Sequence, residues 1–183
     1  MVLRISGDRG SGKTTLCSEL AKILGYFYVY TGGIIREMAA KKNMPLEEFY
    51  RAMDADPGLE RSIDASQEEL MLTMPNLIAE GRMAPFQKCA FPCLNVFIAV
   101  DRIVGAERQL QRPENRGRSL AEVLRRSDER LKEERIRYQK LYGIIDHLDK
   151  TKFDVIVDTT NLTKEAAIQE LVISLLKHLA SRS

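Results

Sequence analysis

The sequence predicts an α/β protein: a five-stranded parallel sheet with helices on both faces, built as one domain. Three observations predict it. Short, almost wholly apolar runs recur at residues 2–6, 27–30, 77–79, 96–100 and 155–157, as strands covered on both faces require. Segments with helical periodicity separate them, the βαβ alternation of a parallel sheet. The polar, chemistry-bearing residues follow the strands, where ligands of such sheets sit.

The first strand, 2–6, runs into a glycine-rich turn and then a helix over 13–24, with Leu16, Leu20, Ile23 and Leu24 expected on its apolar face and Gly25 as its stop. Aromatic and β-branched residues mark the strand at 27–30. Residues 33–42 and 45–54 read as short helices, the second opened by Pro45 with Glu47 and Glu48 in its first turn, and 59–73 as a third. A long charged helix is expected before the fifth strand, and an amphipathic helix over about 164–178 closes the chain. Tyr26, Phe27, Tyr28 and Tyr30 are expected to pack the sheet.

The 183 residues, 44% hydrophobic and 30% charged, suffice for one core without disulfides or a structural metal. No apolar run approaches the length of a membrane span, and the chain enters a strand directly, so neither a signal peptide nor a membrane partner is expected. Three cysteines without C-x-x-C spacing (Cys17, Cys89, Cys93) and two isolated histidines (His147, His178) argue against a zinc site and for free thiols in a cytoplasmic protein; a monomer is expected. Residues 102–140 carry 12 Lys/Arg against 7 Asp/Glu, and residues 37–69 carry 4 against 9. The basic block could be a nucleic-acid face or a lid that closes on phosphates. Its acidic residues fall at helical spacing and no aromatic platform lies among its arginines, which favours the lid and no nucleic acid.

Residues 7–14 read Gly7-Asp8-Arg9-Gly10-Ser11-Gly12-Lys13-Thr14, matching G-x-x-x-x-G-K-[ST] at every fixed position. Glycines let backbone amides turn toward an anion, and the helix beginning at Lys13 adds its positive end. Lys13 is suited to β- and γ-phosphates and the Thr14 hydroxyl to Mg²⁺; the segment 7–15, with Thr15, is the expected ATP site. Asp8 and Arg9 occupy variable positions. No N-K-x-D motif marks a GTPase, and the chain is short for a motor or helicase.

Beyond this loop the chain resembles the cytidylate kinase family, above all its short archaeal-type branch, over nearly its whole length. The resemblance lies in Thr31-Gly32-Gly33-Ile34-Ile35-Arg36, Glu80-Gly81-Arg82, Glu107-Arg108 with Arg112, Arg130-x-x-x-Glu134-x-x-Arg137-Tyr138, Tyr142-Gly143-Ile144 and Asp158-Thr159-Thr160. It implies a P-loop kinase fold with a core over 1–33, 75–108 and 131–183, an acceptor-binding insertion over about 34–74, and a lid over about 109–130. It implies Arg36 and Arg108 on the acceptor phosphate, Arg130 reaching from the lid, Glu134 and Arg137 on the acceptor sugar, and Arg82 along the cleft beside Thr31, Gly32 and Gly81. Lys13, Arg108 and Arg130 would be catalytic. The reaction implied is ATP with CMP or dCMP giving ADP and the diphosphate. An adenylate or other small-molecule kinase, and a nucleic-acid-associated ATPase, are the competing readings. Glu80 stands where Asp is common in the family, and residues 83–93 match it poorly. Asp101 reads as a helix cap in preference to a metal-side carboxylate.

Overall fold

In the computed structural model, residues 1–182 are described, and they form one five-stranded sheet in the order β2-β3-β1-β4-β5. The strands are β1 (Val2–Gly7), β2 (Phe27–Tyr30), β3 (Leu77–Glu80), β4 (Cys93–Ala99) and β5 (Val155–Asp158). Every pairing is parallel, with Val2 opposite Leu77 on one side of β1 and Cys93 on the other. The helices are α1 (Lys13–Leu24), α2 (Thr31–Lys41), α3 (Leu46–Ala55), α4 (Pro57–Thr73), α5 (Arg102–Leu110), α6 (Leu120–Tyr142) and α7 (Lys164–Ala180).

The sheet is covered on both faces. Leu3, Ile5, Ile98 and Val157 pack with Leu16, Cys17 and Leu20 of α1 and Leu171 of α7 on one side. Val2, Leu77 and Ala79 meet Met71 of α4 and Ala84 on the other. A third cluster, Ile35, Ala39, Phe49 and Ile63, gives α2, α3 and α4 a small core of their own beside the sheet.

The buried stripe of α1 is Leu16, Cys17, Leu20 and Ala21; the expected Ile23 and Leu24 are exposed instead. The helix ends at Gly25, whose φ of 66° is the left-handed stop expected there. Strand β4 begins three residues early. Polar Asn95 does not interrupt it, because its side-chain amide donates to Lys152 O at 2.9 Å and its backbone N–H to Asp154 at 2.8 Å. The charged segment after β4 is two helices. Asp101 caps α5, accepting from Ile103 N and Val104 N, while Pro113, and Gly117 at a φ of 80°, turn the chain before a Ser119–Glu122 capping box starts α6. Among the described residues no helix is long and apolar enough to cross a membrane.

Candidate active site

The central strand β1 is the switch point of the topology: the chain goes to one side of it for β2 and β3 and to the other for β4 and β5. A cleft of about 630 Å³ opens there at the carboxyl ends. The loop 8–12 forms its floor. Its path allows no larger residues at two points: a Cβ on Gly7 would come 2.1 Å from Ile98 O, and one on Gly10 2.1 Å from Gly105 O. Asp8 is turned beneath the loop, accepting from Val100 N at 3.2 Å, and Ser11 Oγ donates to Asp8 O at 2.8 Å. Thr159 Oγ1 props the loop from β5, lying 3.1 Å from Ser11 O. The expected phosphate cradle is therefore tied to three strands.

Lys13 Nζ donates to Gly7 O at 3.0 Å and lies 3.4 Å from Ser11 Oγ. Burial, and then the nearby Arg82 guanidinium, lower the Lys13 ammonium to about 7, offset in part by Glu80 and Asp8. A nucleotide phosphate beside it reverses that shift. ATP binding at pH 8 is accordingly expected to take up close to one proton, and at pH 5 almost none at this side chain. Calorimetry in two buffers of different ionisation heat measures it; identical heats at pH 8 would contradict the assignment.

Thr14 Oγ1 donates to Glu80 Oε1 at 3.0 Å, and Tyr28 donates to the other oxygen of Glu80. With its proton directed at Glu80, the Thr14 hydroxyl keeps its lone pairs for a cation. Thr14 and Glu80 thus fit a Mg²⁺ held mainly by nucleotide phosphates and water, as Mg²⁺ usually is. Among the described residues no group of three or more His, Cys, Asp or Glu side chains could hold a metal alone. Tyr26 and Tyr28 pack against the sheet core as expected, Tyr28 also serving Glu80, whereas Tyr30 lines the cleft with its hydroxyl 2.8 Å from Arg36 and Phe27 is exposed.

Thr31, Gly32, Arg36, Gly81, Arg82, Arg130, Glu134 and Arg137 all line the same cleft, together with Lys13, Thr14 and Thr15. Arg130, Glu134 and Arg137 share one face of α6, as their spacing predicts. Glu134 is the hub. It is 3% exposed and faces Arg130 Nε at 3.3 Å, Arg82 Nε at 3.4 Å, Arg9 Nη1 at 3.5 Å and His147 Nε2 at 3.5 Å. Burial opposes its charge, but Arg82, the His147 contact, Arg9 and Arg130 outweigh it and hold the carboxyl well below the usual carboxylate range. Arg137 pairs with Glu60 Oε1 at 2.8 Å across the cleft wall.

Arg108 is not brought into the cleft. Its guanidinium donates to Thr159 Oγ1 (3.2 Å), Thr159 O (2.7 Å) and Thr160 O (3.2 Å), joining α5 to the end of β5. Arg108 follows Glu107 on α5, and that helix turns it toward the end of β5 and not into the cleft; the expected contact with the acceptor phosphate is not supported by this geometry. Arg112, one turn further on, lines the cleft. Arg9, within the expected ATP segment, lines the cleft; sequence reasoning missed Tyr30, Tyr50, Glu60, Asp64 and Arg112 as cleft residues. Glu60 and Asp64 had a usable signal: carboxylates at i, i+4 put two acids on one face of α4.

The model of the cytidylate kinase-like family matches residues 2–161. This chain belongs to that family. It is 37% identical to a cytidylate kinase of Pyrococcus abyssi over 90% of this chain and 88% of that protein. It is 34% identical to a cytidylate kinase of Pyrobaculum neutrophilum over 92% and 89%. The fold is also that of a shikimate kinase from Bacteroides thetaiotaomicron, with a TM-score of 0.64 at 19% identity over 97% of this chain and 98% of that one. Family membership agrees with the P-loop kinase architecture expected from the sequence.

Proposed function

We propose that this kinase transfers the γ-phosphoryl group of ATP to the phosphate of CMP or dCMP. The observation that carries the reading is a phosphate loop facing a cleft with Lys13, Arg9, Arg36, Arg82, Arg112, Arg130 and Arg137 on its walls. Bringing two anionic substrates together needs this charge, and phosphoryl transfer depends mainly on positioning and electrostatics. Relatives called cytidylate kinases, similar over nine-tenths of the chain, support the acceptor.

In this reading an oxygen of the acceptor phosphate attacks the γ-phosphorus of ATP. The bond to the β,γ-bridging oxygen breaks, and its electron pair leaves with ADP. Lys13 and the loop amides hold the donor phosphates. Arg36, Arg82 and Arg130 orient the acceptor phosphate, and Glu134 with Arg137 faces its sugar. Mg²⁺ at Thr14 would neutralise the oxygens of the donor phosphates. The basic residues outside the cleft support this reading over a nucleic-acid face, since several are paired: Arg102 with Asp128, Arg125 with Glu129 and Arg135 with Asp146.

Asp64 is the proposed base reader. It accepts from Tyr142 at 2.7 Å and keeps lone pairs toward the cleft; burial raises its carboxyl to about 6, against the lowering effect of that hydrogen bond, so it is charged at neutral pH. A carboxylate accepts from the C4 amino group of cytosine and repels the C4 oxygen of uracil. Asp64→Asn, able to donate, is expected to reduce the CMP-over-UMP preference by about 10-fold or more, for roughly 1–3 kcal/mol of base discrimination. An unchanged ratio of kcat/KM values would remove Asp64 from base recognition.

Residues 112–130 are proposed to close as a lid, excluding water when both nucleotides are bound. Amide hydrogen exchange in that segment should slow with a bisubstrate analogue; unchanged protection would mean a static segment. The reaction itself is tested with γ-labelled ATP and CMP. Label is expected in CDP, and label only in inorganic phosphate would instead support an ATPase.

A further inference from the structure

One member of the cation cluster around Glu134 comes from the phosphate loop itself. Arg9 stands at a variable position of the loop, yet its guanidinium lines the cleft and lies 3.5 Å from Glu134. Its Nε is buried without a hydrogen-bond partner. Burial, and then the charge of Arg130, reduce its affinity for its proton, bringing Arg9 down to about 10; Glu134 offsets this, while Arg82 and Arg112 add to it. Three guanidinium groups thus share one carboxylate, with Lys13 and Arg112 on the same cleft. Such an excess of like charge is stabilised by a polyanion.

The root of this side chain is fixed. Gly10, next in the chain, packs on Gly105 of α5, and a Cβ on Gly105 would come 2.6 Å from Arg9 O. The loop backbone therefore presents Arg9 from a rigid base, on the same floor as Lys13. A guanidinium held there, paired with the protein through Nη1 alone, has its other terminal N–H groups available for a phosphoryl oxygen.

We infer that Arg9 is a catalytic arginine built into the phosphate loop: it exchanges Glu134 for an oxygen of the phosphoryl group in transfer. The inference rests on the kinase reading above. The step is the one already written, in which the acceptor oxygen bonds to the γ-phosphorus as the bridging oxygen departs with its electron pair. Arg9 adds no proton and removes none; it bonds to charge that spreads over the equatorial oxygens. Glu134, released by Arg9, remains paired with Arg82 and Arg130 and faces the acceptor.

The test is steady-state kinetics of Arg9→Ala and Arg9→Lys with ATP and CMP, with thermal unfolding as a check on folding. Arg9→Ala is expected to lower kcat by about 100-fold or more, the scale of one lost transition-state donor, with each KM changed less than about fivefold. Added guanidinium salt should restore part of the Arg9→Ala turnover, and Arg9→Lys should retain more than Ala. A purely structural role, acting through Glu134, gives another pattern: no rescue, and no further loss when Arg9→Ala is placed on a Glu134→Gln background. That pattern, or an Arg9→Ala kcat within about threefold of the wild type, overturns the inference. If the unaltered protein phosphorylates no nucleoside monophosphate, the kinase reading fails first, and the two failures are thereby distinguished.

Discussion

Lys13→Ala is expected to cost phosphoryl transfer about 3–4 kcal/mol of transition-state stabilisation, a fall in kcat of several hundredfold. The ammonium is held over the loop by Gly7 O and Ser11 Oγ, within reach of any phosphate seated on the loop amides. No neighbour can substitute, since Arg82 has its own position, donating to Gly7 O and pairing with Glu134. The side chain contacts loop carbonyls and not the apolar core, so the melting temperature should change little. Turnover above about a tenth of the unaltered protein's with saturating ATP, on the same scale of several kcal/mol for one lost charge, would contradict the role given to Lys13.

Glu134→Gln is expected to have the largest effect on stability. Removing one partner of a buried ion pair costs about 3–5 kcal/mol, because the remaining charge is left uncompensated. The lower end applies here, as the Arg130 side chain is 53% exposed and Arg9 30%, so water screens part of the repulsion. The deficit has a pH signature. A carboxyl whose folded pKa is depressed stabilises the fold above its unfolded value and loses that contribution as pH falls through the lowered one. The stability gap between Glu134→Gln and the unaltered protein should therefore be full at pH 7 and shrink only in strong acid. Saturating nucleotide, which brings its own anions to Arg9, Arg82 and Arg130, should narrow the gap at pH 7. Equal melting temperatures without nucleotide would show that the arginines do not depend on Glu134.

Local features were legible in the sequence. The phosphate loop is contiguous, the strands are short apolar runs, and Gly25 and Asp101 terminate and cap their helices through their own backbone neighbourhood. The shared face of Arg130, Glu134 and Arg137 follows from helical spacing alone. Features that depend on distant partners were less legible. Ile23 and Leu24 match the helical apolar pattern, yet no distant element covers them and both are exposed. Asn95 lies just before the run expected as the fourth strand, and its partners Lys152 and Asp154 are distant in sequence. Arg108 follows a strand just as a cleft residue would, and only the packing of α5 beside β5 turns it to Thr159 and Thr160. Arg9 occupies a position where the motif permits any residue, and Glu134 lies 125 residues away in sequence. His147, isolated in the sequence, is fully buried beside Tyr138 and Glu134, a position no spacing rule signals.

The central claim is that a cytosine nucleotide is the acceptor on this phosphate loop. It is tested most directly by kcat/KM, measured by coupled ADP release, for CMP, dCMP, UMP, AMP and GMP, with shikimate and gluconate as non-nucleotide acceptors. CMP or dCMP is expected to give the highest value, with the keto bases UMP and GMP well below them and the non-nucleotides inactive. A higher kcat/KM for AMP, or for either non-nucleotide, would contradict the account.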